Sequence, residues 1–156
     1  DGGAIYTKGQ LNITYAELKN NIVENNCGGI YIKSGSVILS DTTVSANSSL
    51  NSSSKGSGIY VNDGSFTMKG SSVVTPATDK NDVYLGIGRT IHINGDLTSS
   101  GKAARITPQS YPSGSTAVKV LSGDITTGSN YDKFTVTPSS GMQQWRVDSN
   151  GKLVSQ

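Results

Sequence analysis

Gly29-Ile30-Tyr31-Ile32, followed by Val37-Ile38-Leu39, Val44 and Asn47, is the stretch on which the reading of this chain turns. The same pattern runs before and after it. Upstream stand Gly3-Ala4-Ile5-Tyr6, Leu11-Asn12-Ile13, Leu18 and Asn21. Downstream stand Gly58-Ile59-Tyr60-Val61, Phe66-Thr67-Met68, Val73 and Pro76. A fourth unit opens at Asp82-Val83-Tyr84-Leu85 and continues to Ile91-His92-Ile93. The period is about 25–30 residues, which points to a solenoid before any other architecture. Each unit reads as strand, glycine turn, strand, polar turn and short third strand, with Gly9, Gly35, Gly64 and Gly88 at the first turn. One such coil cannot bury its own apolar side chains, so coils must stack to make a core.

The expected fold is therefore all-β: a right-handed parallel β-helix with three strands per coil. About four to five coils at the usual strand spacing give a prism roughly 20–25 Å long. Repeats fall near 2–27, 28–55, 56–80, 81–111 and 112–130, so that 1–130 is the coiled region. In the fourth unit Arg105-Ile106-Thr107-Pro108 echoes Val73-Val74-Thr75-Pro76, and Phe134-Thr135-Val136-Thr137-Pro138 echoes it again. Segment 131–156 reads as a capping segment. There Gln144-Trp145-Arg146-Val147 and Lys152-Leu153-Val154 flank Asp148-Ser149-Asn150-Gly151, a hairpin signal. Trp145 is the expected plug of the last coil. The chain opens inside a repeat, so it is expected to be the C-terminal piece of a longer solenoid.

Composition narrows function by exclusion. The net charge is +2 and charged residues are 15% of the chain, scattered singly, which leaves no footprint for nucleic acid. No apolar run is long enough to insert this segment in a membrane. Cys27 is the single cysteine, so neither an internal disulfide nor a thiolate zinc site is available. No metal and no cofactor is expected. Catalysis on a β-helix face needs carboxylates gathered together. Asp41 instead aligns with Tyr15, Gly70 and Gly95, while Asp63, Asp79, Asp82 and Asp96 fall in or near turns. The lone His92 reads as a solvent-facing ladder residue, and Gly86-Ile87-Gly88 as a turn. The expectation is that the chain is not an enzyme.

Gly2-Gly3-Ala4-Ile5, Leu18-Lys19-Asn20-Asn21, Ile22-Val23-Glu24-Asn25 and Val44-Ser45-Ala46-Asn47 resemble the Gly-Gly-Ala-Ile and Phe-x-x-Asn repeats of bacterial polymorphic outer-membrane proteins. With Ser72-Val73-Val74-Thr75-Pro76, Asn81-Asp82-Val83-Tyr84-Leu85 and Trp145…Gly151-Lys152-Leu153, the whole chain resembles the β-helix repeat surface proteins and lipoproteins of treponemes. It departs from them where Leu, Ile and Val stand for Phe, and where Pro76 stands for Asn. The resemblance implies a bacterial cell-surface or secreted module for adhesion, host contact or antigen display. It carries no ligand-binding residues over.

Alternation turns Tyr6, Tyr31, Tyr60 and Tyr84 outward, and stacking sets them in one column, continued by Lys119 in the fifth coil. Flat rings on a rigid sheet suit a host glycan or an extracellular-matrix protein. The competing role is to stabilise the sheet by ring-on-ring contact. Three function classes stay open: an adhesin, a stalk without ligand, and the non-catalytic end of a carbohydrate-active enzyme. An uncapped first coil also predicts an end-to-end homodimer.

Overall fold

The computed structural model describes residues 3–51, 55–75 and 82–156. Pro76 and Asp79 lie outside the described residues, as do 52–54. The first coil is β1 (Ile5–Thr7), β2 (Gln10–Thr14), β3 (Glu17–Lys19) and β4 (Ile22–Val23). The second is β5 (Ile30–Ile32), β6 (Ser36–Ser40), β7 (Thr43–Ser45) and β8 (Ser48–Ser49). The third is β9 (Ile59–Val61), β10 (Ser65–Gly70) and β11 (Val73–Val74). The fourth holds β12 (Val83–Leu85) and β13 (Ile91–Leu97), and the fifth β14 (Ala104–Pro108) and β15 (Leu121–Gly123). A 3-10 segment at Thr127–Lys133 leads to β16 (Phe134–Val136), and β17 (Trp145–Val147) and β18 (Leu153–Ser155) close the chain.

These strands stack as a parallel β-solenoid of about 5 turns. The first side is the six-stranded order β1-β5-β9-β12-β14-β16, and the second is β15-β13-β10-β6-β2. Register follows the repeat: Ile5, Ile30, Ile59 and Val83 form one row, and Leu11, Val37, Phe66 and Ile91 another. Two-residue alternation sends these residues inward. Ile30, Val37, Ile59, Phe66, Val83 and Ile91 have no exposed surface. The corners repeat as well. Tyr15, Asp41, Gly70 and Gly95 all have positive φ, between 50 and 77°. Tyr15, Asp41 and Gly70 are thus a column of left-handed corner residues, whereas the expected fourth member, Gly95, lies inside β13, where the register shifts and Gly70 pairs with Leu97; the Asp41 carboxylate accepts the Ser71 amide at 2.9 Å. At Gly35 a side chain would meet the Gly9 carbonyl at 2.2 Å, because consecutive corners stack in contact.

Buried asparagines close the polar accounts. Asn47 accepts from the Asn21 amide and side chain at 3.1 and 2.9 Å and donates to the Leu18 carbonyl at 3.0 Å. Asn130, in the 3-10 segment, accepts from the Leu97 amide at 2.9 Å. It donates to the Gly95 and Asp124 carbonyls at 3.0 and 2.7 Å.

Four sequence expectations need correction. Val74, not Val73, stacks on Val44 and is buried, because one extra residue occupies the corner after β10 and a one-residue slip reverses facing. Arg105–Pro108 is not the third side of the fourth coil. The chain enters beside Val74, whose amide donates to the Ala103 carbonyl at 2.8 Å, and runs on into the first sheet against β12. Phe134–Val136 is the sixth strand of that sheet, so coil pairing extends past the boundary drawn at 130. Finally, Val147 and Leu153, exposed by 3 and 4%, fill the closed end. Trp145 packs at its rim, half-buried.

The hairpin itself forms where Asn150-Gly151 placed it, with Arg146 opposite Val154 and Val147 opposite Leu153. The Asp148 carboxylate accepts the Asn150 and Lys152 amides at 2.9 and 2.8 Å, and Gly151 adopts φ 76°. The Gly151 carbonyl receives the Val120 and Leu121 amides at 2.8 and 3.1 Å, so the turn seals the edge next to β15.

Candidate functional site

The column Tyr6, Tyr31, Tyr60 and Tyr84 forms in register. Facing outward, however, is not the same as being open. Tyr31 and Tyr60, and Tyr60 and Tyr84, pack edge to face at 4.9 Å between ring centres. Tyr6 and Tyr31 are tilted by 31° at 5.4 Å. Tyr31 and Tyr84 keep only 8 and 6% of their surface, and Tyr6 keeps 45%. Burial first, and then the neighbouring Tyr60, Tyr6 and Cys27, push the Tyr31 hydroxyl above its ordinary value. Burial raises Tyr60 as well, against the Lys55 ammonium. These hydroxyls stay neutral. Each ring pair in such geometry stabilises a sheet by about 0.5–1.5 kcal/mol.

Beyond Tyr84 the column continues as Thr107 and Thr137, whose hydroxyls lie 2.6 Å apart. Lys119 is not part of it. The chain after Leu97 passes beside Val74 and joins the first sheet as β14, so Lys119 falls in the next corner, where its backbone pairs with that of Lys152. Beside Tyr84 lies Asp82, 5% exposed, which accepts the Thr107 hydroxyl. Burial raises its carboxyl above the ordinary range, and Thr107 and Arg105 offset part of that rise. His92 is exposed on the second side, 3.4 Å from the Ser122 hydroxyl. Among the described residues no group of three or more His, Cys, Asp or Glu gathers as metal ligands would. No helix among them is long and apolar enough to cross a membrane.

A different feature was not singled out from the sequence. Between the first and second sides the chain turns within 8–9, 33–35, 62–64 and 86–90 in the first four coils, but over 109–120 in the fifth. This lengthened corner stands against 86–90 and bounds a cleft of about 370 Å³. Leu85, Ile87, Pro108 and Val118 give it apolar lining, and Arg89 lines it too. Ile87 is 70% exposed, an apolar side chain held at the cleft with little of it covered. One guanidinium nitrogen of Arg89 pairs with Asp63 at 3.3 Å, while its buried Nε has no hydrogen-bond partner among the described residues. Tyr111 anchors the loop. Its hydroxyl donates to the Thr137 carbonyl at 2.7 Å and its ring packs on Trp145 at 5.9 Å. Burial, then Asp82 and Tyr84, push that hydroxyl up to about 12, so it remains a donor. The signal for this site was the unmatched stretch between Pro108 and Leu121, which repeat alignment discards as drift.

The class this geometry defines is the parallel β-solenoid, here with a lengthened turn between the first and second sides of the fifth coil. No family model, curated protein or solved structure matches the chain.

Proposed function

We propose that the chain is a non-catalytic module of a bacterial cell-surface or secreted solenoid, acting in adhesion or host contact. Its partner is a host glycan or an extracellular-matrix protein, taken in the cleft under residues 109–120. The observation that carries this reading is the turn between the first and second sides at 109–120, far longer than the same turn in the first four coils. Corner insertions leave coil pairing undisturbed, and recognition collects on loops held by a rigid scaffold. Apolar walls beside the partly exposed Arg89 guanidinium suit a ligand that pairs an apolar face with an anionic group. The carboxylates support the non-catalytic part, since they serve local geometry: Asp41 and Asp148 accept corner amides, and Asp124 accepts the Gly95 amide at 2.7 Å. A stalk without ligand is the second reading, favoured by the tyrosine column, whose rings contact one another.

The test is a glycan and matrix-protein array probed with the wild type, Ile87→Asp, Arg89→Gln and Tyr6→Ala. All three positions have exposed or half-exposed side chains, so each variant is expected to fold, with Tyr6→Ala slightly less stable because it loses the contact with the Tyr31 ring. Loss of binding in the first two variants with retention in Tyr6→Ala supports the cleft. The opposite pattern moves the site to the tyrosines, and an array silent for every form favours the stalk.

A further inference from the structure

The cleft does not end at its own corner. Gly88, Arg89 and Thr90 line it, and the same three residues line a second, open hollow of about 360 Å³ on the outer face of the second side. There Thr67, His92 and Ser122 stand in one register row across three coils, so the row spans two strand spacings, roughly 10 Å. The row is polar and held in place. The Ser122 hydroxyl lies 3.1 Å from the Thr90 hydroxyl and 3.4 Å from His92 Nδ1. Thr67, Thr90 and Ser122 are half-exposed, and His92 is exposed. Charge is one-sided as well. The chain carries 11 acidic and 13 basic residues, yet among the described residues the charged side chains lining the two cavities are Arg89 and Lys119, both cations. Asp63 stands outside the lining and pairs with Arg89 at 3.3 Å. The two side chains are 68 and 38% exposed, so water weakens the pair and an anion can displace it.

We propose that the two cavities form one groove for an acidic glycan, a sugar chain bearing carboxylate or sulfate groups. The proposal rests on the cleft reading above and names its ligand class. The anionic group sits between the Arg89 guanidinium and the Lys119 ammonium, with no lining carboxylate to repel it. The apolar face of the same sugar lies on Ile87 and Val118. The glycan then crosses the corner at Gly88, where a side chain would meet nothing within 4 Å, so there is room for it to pass. Its further hydroxyls meet Thr90, Ser122, His92 and Thr67 in the hollow. Serine and threonine hydroxyls both donate and accept, as sugar hydroxyls do, so neither partner has to present a fixed polarity. An extended peptide fits this face less well, because it binds a sheet by joining a free strand edge. Here β10 lies between β6 and β13, and β13 between β10 and β15, so the strands under the hollow have no free edge.

The test is equilibrium binding of the whole chain, at physiological ionic strength, to a set of defined probes. Polygalacturonate and hyaluronate carry carboxylates, and dextran sulfate carries sulfates. Their neutral counterparts are the two methyl esters and plain dextran, and deglycosylated matrix protein is the probe without sugar. At least one acidic glycan should bind, and its neutral counterpart at least about tenfold more weakly. The acidic probe that binds tells carboxylate from sulfate. Arg89→Gln and Lys119→Gln should each weaken binding by about tenfold. Lys19→Gln removes the same charge from β3 and should leave it unchanged. Thr67→Tyr fills the hollow and should also weaken binding by about tenfold, whereas Asn12→Tyr, in the same row two coils away, should not. Both positions face outward and tyrosine suits strands, so circular dichroism should match the wild type. Neutral glycans bound as tightly as their acidic forms overturn the proposal. Equal responses in Arg89→Gln and Lys19→Gln, or in Thr67→Tyr and Asn12→Tyr, overturn it too. If deglycosylated matrix protein alone binds, and Ile87→Asp abolishes that binding, the acidic ligand fails while the cleft reading stands. A chain silent to every probe overturns both.

Discussion

Two ends of one stack, built from the same repeat, meet water in opposite ways. At the closed end Val147 and Leu153 lie over the last coil, the Gly151 carbonyl takes two amides, and Asn130 satisfies three backbone groups. At the open end the apolar row runs out into half-exposed Leu11, Ile13 and Leu18. The pattern of side chains is the same, yet only its neighbours make it a core. In a solenoid, burial belongs to the pair of adjacent coils rather than to the coil. Stability should therefore be graded along the axis, and substitutions can measure that gradient.

The largest effect belongs to the middle. Phe66 is stacked between Val37 and Ile91 with no exposed surface, so Phe66→Ala should cost about 3–5 kcal/mol. Leu11, in the same inward row but at the open end, should cost only about 1–2 kcal/mol as Leu11→Ala. Urea unfolding reads both values. Trp145 is the single tryptophan and stands at the closed end, so its fluorescence can be set beside far-ultraviolet dichroism. Coincident curves mean one cooperative unit, and an earlier dichroism transition means that the open end unravels first. Equal costs for the two substitutions would break the comparison.

The stack was legible because its inward rows are aliphatic at a fixed period: Ile30, Ile59 and Val83 announce one another. What failed to read has a physical cause in each case. The slip from Val73 to Val74 comes from one corner residue, and polar corners accept length changes that the apolar pattern does not register. Arg105–Pro108 echoes the third-side stretch Val73–Pro76 and Phe134–Pro138 falls in the expected cap, yet both join the first sheet, because a strand motif does not say which face of the prism it joins. The tyrosines fall in the register that their spacing predicts. Their packing against one another depends on ring orientation, which no spacing encodes. The cleft was invisible because it is made by the part of the fifth coil that matches nothing.

A smaller effect tests the polar side of the comparison. Asn130→Ala leaves the Leu97 amide and two carbonyls without their partner in a fully buried place, and should cost about 2–3 kcal/mol. Asn21→Ala, half-buried at the open end, loses one side-chain bond to Asn47 and one to the Lys19 carbonyl, and should cost about 1 kcal/mol. Amide hydrogen exchange distinguishes the mechanisms. In Asn130→Ala protection should fall at Leu97 while the Phe66 amide keeps its own. Loss spread evenly over both would mean that Asn130 acts through global stability and not through the groups it satisfies.

The smallest effect is in pH, where two aspartates should pull in opposite directions. Asp82 is raised, first by burial, against the Thr107 hydroxyl and Arg105. The folded chain therefore holds that proton more tightly than the unfolded chain. Its contribution is full below the ordinary value of 3.8 and is lost as pH rises through the folded value. Asp148 is also pushed up by burial, but the Lys152 and Asn150 amides outweigh that and hold it below 3.8. Its contribution is full above 3.8 and is lost as pH falls through the folded value. Melting temperatures measured from roughly pH 7 down to roughly pH 3 should thus separate the variants. The wild type should gain on Asp82→Asn as the solution is acidified, and lose its advantage over Asp148→Asn across the same range. The inner coil removes a carboxylate from water without fully pairing it, since one oxygen of Asp82 has no hydrogen-bond partner among the described residues. The hairpin turn wraps its carboxylate in amides. Parallel slopes for the two variants would mean that the coil flank and the closing turn treat a negative charge alike, and the contrast between a stacked layer and a sealed end would not extend to electrostatics.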